Sequence, residues 1–246
     1  MRTLVKGSTM KTRFAVCLIV LCYASSSNAA SLLVDINDRS GTQPLQAGYV
    51  GVTLNGTGVT PIASDIGTIG LTFTSVAGGA LDDRDRGALD ASQPLSDLLR
   101  DIMFVSGGTG SGIDGTFDMT VSGLIAGAYS FKAYMHDNVV NQIAADVLVS
   151  VDGGANFSMG ADDALNSTTT NPPVVGTASF NFVADGTNDV VFRMIGQGDT
   201  GAPFEGNETV VLSGFEITAV PEPASWFLLS IGVALLGTRA VARRLR

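Results

Sequence analysis

The 246-residue sequence predicts an all-β protein, a single β-sandwich of jelly-roll type with a short apolar segment at each end. Three observations carry this. Between residues 31 and 218 the apolar runs are short, β-branched or alternating, and Gly, Asn and Asp break them. Little of that stretch keeps a helical period. The length between the end segments, about 190 residues, is enough for one sizeable core. Many short strands in one such domain read as a sandwich.

The elements follow in order. Strands are expected at 32–36, 49–54, 69–74, 102–105, 116–121, 129–135, 146–151, 177–183, 190–195 and 210–217. Thr116-Phe117-Asp118-Met119-Thr120-Val121 alternates, so its apolar side chains share one face. Ser179-Phe180-Asn181-Phe182 does the same. Asp152-Gly153 and Asp185-Gly186 carry hairpin-turn chemistry. One helical turn is expected at 95–100, with Ser92 or Ser96 near its start.

The N-terminus reads as a secretory signal over residues 1–29. Arg2, Lys6, Lys11 and Arg13 precede an apolar run at 14–23, too short to span a bilayer comfortably. Ser27-Asn28-Ala29 supplies the small residues a signal peptidase needs, so cleavage after Ala29 is expected. Both cysteines, Cys17 and Cys22, fall inside this segment. The mature chain then has no disulfide, no thiol nucleophile and no cysteine metal site.

The C-terminus, 220–246, has three parts. Pro221 and Pro223 keep the chain extended around Glu222. An apolar helix is expected at about 224–242, about 28 Å long at ~1.5 Å per residue. That nearly matches a hydrocarbon core of ~30 Å, so the segment reads as a transmembrane helix. Trp226 sits where an interfacial aromatic is favoured, and Arg239, Arg243, Arg244 and Arg246 hold the end on the cytoplasmic side.

This order of Pro221-Glu222-Pro223, apolar helix and basic end resembles the PEP-CTERM sorting signal of Gram-negative bacteria. The resemblance implies a substrate of exosortase, a membrane enzyme that cuts near the motif and passes the protein to the cell surface or extracellular matrix. It also implies passage through the secretion machinery, a transient stay in the inner membrane, and an association with exopolysaccharide. An unprocessed tail anchor would share the same physics.

A second resemblance spans residues 30–219, the expected ectodomain. Val34-Asp35-Ile36-Asn37, with Thr42-Gln43 and Gly48-Tyr49, resembles the opening of galactose-binding-like β-sandwiches. So do the phrase Gly123-Leu124-Ile125-Ala126-Gly127-Ala128-Tyr129, running on to His136-Asp137, and the closing Val211-Leu212-Ser213-Gly214-Phe215-Glu216-Ile217. In such sandwiches the first and last strands meet and can hold a structural cation. By that likeness Asp35, Asp38 and Glu216 are cation candidates.

Charge limits the partners. Each end holds four basic residues, and Glu222 is the one acid of the two ends. Six of the 14 basic residues and 22 of the 23 acids therefore lie between them, a balance near −16. Nucleic acid and anionic polymers need a basic footprint and are excluded. Neutral polysaccharide or a divalent cation fits better.

The candidate ligand-binding residues are His136 and Asp137 at a strand end, with Tyr134 or Tyr49 as an apolar platform for a sugar ring. Asp82, Asp83 and Asp85 form an oxygen-rich run that suits Ca²⁺, although Arg84 and Arg86 offset its charge in what reads as a salt-bridged loop. No other cofactor is implied. Gly110-Ser111-Gly112-Ile113-Asp114-Gly115 fits a dinucleotide string, but a strand follows it where that motif needs a helix. The polar run 166–171 reads as a solvated loop or an O-glycosylated patch. No G-x-S-x-G elbow presents a serine, and glutamate is confined to Glu205, Glu208, Glu216 and Glu222. Three function classes stay open: a non-catalytic carbohydrate-binding or adhesion module, a structural matrix component, and, disfavoured, a secreted glycan hydrolase.

Overall fold

In the computed structural model, residues 29–38, 43–54, 61–87, 93–107, 113–137, 144–162, 175–197 and 209–221 are described. The secretory segment up to residue 28, the expected membrane helix at 224–242, Glu222, Pro223, the arginine tail and the polar run 166–171 lie outside them. Among the described residues, no helix is long and apolar enough to cross a membrane.

Fourteen strands are described. They are β1 (Ser31–Asn37), β2 (Val50–Thr53), β3 (Ile62–Ser64), β4 (Gly67–Ala77), β5 (Leu81–Asp85), β6 (Asp101–Val105) and β7 (Thr116–Ser122), followed by β8 (Gly127–Tyr134), β9 (Ala144–Ser150), β10 (Ser158–Ala161), β11 (Thr177–Ala184), β12 (Val190–Gln197), β13 (Val210–Leu212) and β14 (Gly214–Ala219). They make a five-stranded sheet ordered β11-β8-β14-β1-β2, a six-stranded sheet ordered β10-β9-β12-β7-β4-β3, and a small sheet ordered β13-β6-β5. β1 and β2 run parallel, and the other described ladders are antiparallel. The fold is the sandwich the alternation predicts.

The alternation explains the layers. β8 sends Tyr129, Phe131 and Ala133 inward and Ser130 and Lys132 outward. β14 buries Phe215 and Ile217, while β12 buries Phe192 and Met194. The two large sheets meet in an aromatic cluster. The Phe131 ring of one stacks on the Phe192 ring of the other at 4.2 Å between centroids. Phe182 meets the same Phe192 edge-on at 5.4 Å. Burying each such ring contributes about 1.5–3 kcal/mol. With no thiol in it, this unit, Ala30–Val220, rests on such packing.

Each of the ten expected strands is present. The structure adds β3, β5 and β10, and it divides the run at 210–217 into β13 and β14. The division falls at Ser213, where the chain leaves the small sheet for the five-stranded one. Ser213 donates its N–H to the Tyr134 carbonyl at 2.8 Å, and its own carbonyl accepts the Ile36 N–H at 2.9 Å. The next residue must be glycine, because a Cβ at Gly214 would lie 2.5 Å from the Val34 carbonyl oxygen.

Three local expectations are corrected. Asp82, Asp83 and Asp85 stand on strand β5, not in a loop, since β6 pairs with every residue of 81–85. Asp185-Gly186 does not close a hairpin: β11 and β12 belong to different sheets, so this turn crosses the sandwich. Asp152-Gly153 does join neighbours, β9 and β10, but through the longer connection 151–157. The expected helical turn is there, with the Leu99 N–H on the Leu95 carbonyl at 3.0 Å.

Candidate functional site

The outer face of the five-stranded sheet is where polar side chains gather. Its register sets them in rows. Leu33 pairs with Glu216, Glu216 with Lys132, and Lys132 with Ser179, across four strands. The next row runs Ser31, Thr218, Ser130, Asn181. Strand pleating turns these alternate residues to solvent while the residues between them fill the core. A shallow groove of about 380 Å³ follows. It is lined by Ser130, Lys132, Ser179, Asn181, Glu216 and Thr218, and backed by Phe131 and Phe180.

Two tyrosines fix one wall. The Tyr134 hydroxyl donates to Glu216 Oε1 at 2.7 Å. The Tyr49 hydroxyl donates to the same oxygen. Burial, then the bond to Glu216, pushes the Tyr49 phenol well above its ordinary range, so it stays a donor. The Lys132 ammonium lies 4.6 Å from the centre of the Tyr134 ring. Leu98 and Leu99 of the helical turn pack on Tyr134, with Tyr49, Leu95 and Val175 alongside. Tyr134 is thereby buried, and its ring is held by packing on one side and by Lys132 on the other.

His136 and Asp137 follow β8 directly, and both are buried, at 0% and 2% exposure. Asp137 Oδ2 accepts from the Arg86 guanidinium at 2.8 Å. The His136 carbonyl accepts the Ser213 hydroxyl at 3.0 Å. These contacts give the pair a place in packing and ion pairing beneath the surface. Of the residues expected to bind, the structure joins Tyr134 and Tyr49 through Glu216 and sets His136 and Asp137 deeper.

The acids on β5 do not converge. An extended strand turns Asp82 away from the face that carries Asp83 and Asp85. Asp85 is clamped by Arg100, with contacts of 3.0 and 2.9 Å, and this holds its carboxyl below the usual range. Among the described residues, no group of three or more His, Cys, Asp or Glu side chains is arranged to hold a metal ion. Asp35 and Asp101 are buried carboxyls. Desolvation lifts Asp35 to about 6, against the opposing hydrogen bond from the Gln46 N–H at 2.7 Å. Desolvation, then the charges of Asp85 and Asp38, lifts Asp101 to about 7.

The chain carries a PEP-CTERM protein-sorting motif, which matches residues 219–246. The motif implies export and a membrane-held stage before processing by exosortase. No curated protein matches the sequence. Among solved structures, the chain is similar to the plant receptor-like kinase FER, at 11% identity over 78% of this chain and 42% of that one, with a TM-score of 0.44. It is also similar to the carbohydrate-binding module TmCBM61, solved with β-1,4-galactotriose, at 12% identity over 61% and 88% of the two chains and a TM-score of 0.35. A family 35 carbohydrate-binding module from Clostridium thermocellum matches at 9% identity over 61% and 92%, again at 0.35. The chain spans 40–50% of the length of the receptor structures it matches.

Sequence reasoning missed Glu216 as the acceptor for both tyrosines, and it missed Lys132, Asn181 and Ser179 as neighbours. The signal available was the outward parity of β8, β11 and β14. It becomes a site only when the register aligns the three strands.

Proposed function

We propose that the protein is an exported cell-surface or matrix component whose sandwich holds neutral polysaccharide without cleaving it. The observation that carries this reading is the groove on the outer face of the five-stranded sheet. Ser130, Ser179, Asn181 and Thr218 offer short donors and acceptors at the spacing of paired strands, suited to sugar hydroxyls. The sorting motif supports delivery to a surface.

The ligand sits against Glu216, whose carboxylate Tyr134 and Tyr49 secure. His136 and Asp137 hold the chain just past β8 through the Ser213 hydroxyl and the Arg86 guanidinium. A hydrolase needs two converging carboxyl groups. Among the described residues, Glu216 is the one carboxylate lining the groove, and two phenols already occupy one of its oxygens. Single contacts of this kind are weak, and retention on a matrix comes from many copies acting together.

A glycan array with residues 30–220, run with and without Ca²⁺, tests this. Binding to neutral glycans that is lost in Asn181→Ala and Glu216→Gln is expected. Absence of binding in both buffers would favour a structural matrix role, and release of reducing sugar would favour an enzyme. Loss of binding only without Ca²⁺ would add a cation to the site.

A further inference from the structure

One outward row at the edge of the five-stranded sheet is apolar and exposed. Val183 on β11 pairs with Ala128 on β8, and the Ala128 carbonyl accepts the Val220 N–H at 2.8 Å. These three outward residues form a row, with Val183 66% and Val220 42% exposed. Ile125, 59% exposed, and Ala126 extend it through the loop between β7 and β8.

This end is built to stay as it is. The Tyr129 hydroxyl donates to the Ile125 carbonyl at 2.8 Å, and its ring stacks on Phe182 at 5.5 Å. The loop is therefore pinned with Ile125 outward. Gly186 packs so closely on Ala126 that a Cβ there would lie 2.7 Å from the Ala126 nitrogen. Asp65, Asp185 and Asp189 are exposed at the same end but lie outside the row, and Asp185 is turned onto its own loop, where it accepts from the Thr187 N–H at 2.7 Å and the Asn188 N–H at 2.8 Å. In a domain with 22 acids, a row of outward apolar side chains with no charge in it is a departure that calls for a partner.

The chain's own exit names that partner. Val220 is bonded into the sheet, and only Pro221, Glu222 and Pro223 separate it from the apolar stretch that starts at Ala224. Fully extended, three residues reach about 10 Å. A bilayer's headgroup zone is itself about 5–8 Å deep on each side. We infer that the row formed by Ile125, Ala126, Ala128, Val183 and Val220 docks on the lipid surface while the protein is membrane-held. The inference rests on reading 224–242 as a span. Docking holds Val220, where the chain leaves the sheet, close to the bilayer and within reach of a membrane-bound processing enzyme.

The mature sequence has no cysteine, so single labels can be placed cleanly. The chain 30–246 is reconstituted into phosphatidylcholine vesicles containing acyl-brominated lipid. An environment-sensitive dye is attached through Val183→Cys or, in a second sample, Val76→Cys. Val76 is also exposed, but β4 carries it to the opposite end, where Ala77 pairs with Thr116. Quenching at 183 should exceed that at 76 by about threefold, because docked apolar side chains sit about 5–10 Å into the interface. Ile125→Glu should bring position 183 down to the level of position 76. Equal quenching at both positions overturns the proposal. So does self-quenching at 183 that grows with protein density while lipid quenching is absent, which would mark a second copy as the occupant. Loss of the chain in an alkaline wash is read separately: it refutes the span, and with it the tether that docking needs.

Discussion

The Tyr134 hydroxyl reaches across the β8–β14 ladder to Glu216 Oε1 at 2.7 Å. The two residues are not opposite each other: Tyr134 pairs with Gly214, and Glu216 pairs with Lys132. The bond is a diagonal one. Tyr134→Phe should lower the unfolding free energy by about 1–2 kcal/mol, since a hydrogen bond to a charged group is lost inside a packed site. Denaturant melts of Tyr134→Phe, Glu216→Gln and the double variant would show it. Strictly additive effects would deny the coupling.

The core makes a larger demand. Phe131 and Phe192 join the two large sheets, and both are at most 1% exposed. Phe131→Ala should cost about 3–5 kcal/mol, with no disulfide to compensate. A loss below about 1 kcal/mol would mean the sheets repack without this ring.

The pH dependence has a definite sign. Asp35 and Asp101 have folded-state pKa values raised to about 6 and about 7 by desolvation. The folded state then binds more protons than the unfolded chain between about pH 4 and 7, so stability falls as pH rises through that window. Asp152 opposes this below pH 4. The Ser150 hydroxyl and the Asn156 amide hold it at about 2, and the stability it contributes is lost as pH falls through that value. Thermal melts should peak near pH 4–5. Asp101→Asn should flatten the fall toward pH 7. A melting temperature that climbs steadily from pH 5 to 7.5 would contradict this reading.

Sorting gives a fourth expectation, from the match at 219–246. Deleting 226–246 should leave the domain folded and release it into the periplasm, and replacing Glu222 should slow maturation. Mass spectrometry of protein recovered from the cell surface should find a new C-terminus near Pro221–Pro223. An intact Arg246 on surface protein would refute processing and leave the anchor standing.

Strand positions were legible where alternation was clean, as at Phe117-Asp118-Met119 and Phe180-Asn181-Phe182. β5 was hidden because Leu81-Asp82-Asp83-Arg84-Asp85 has no apolar alternation; it is a strand because β6 pairs with it. β13 and β14 read as one run, since Val210, Val211 and Leu212 are all buried and nothing local marks the change of sheet at Ser213. Asp185-Gly186 shows the limit of turn chemistry: it predicts a reversal of the chain but not which sheet receives it. The tyrosines were visible as candidates, whereas Glu216 was not visible as their shared acceptor. Sheet order brings β8 and β14 together, and no local pattern encodes that order.

The most direct test of the central claim is a titration of the ¹⁵N-labelled domain 30–220 with a neutral oligosaccharide that the array retains. Backbone amide shifts at Ser130, Lys132, Ser179, Asn181, Glu216 and Thr218, tracking one binding curve, are the predicted result. Saturable shifts confined to residues away from the five-stranded sheet, with these six unmoved, would contradict it.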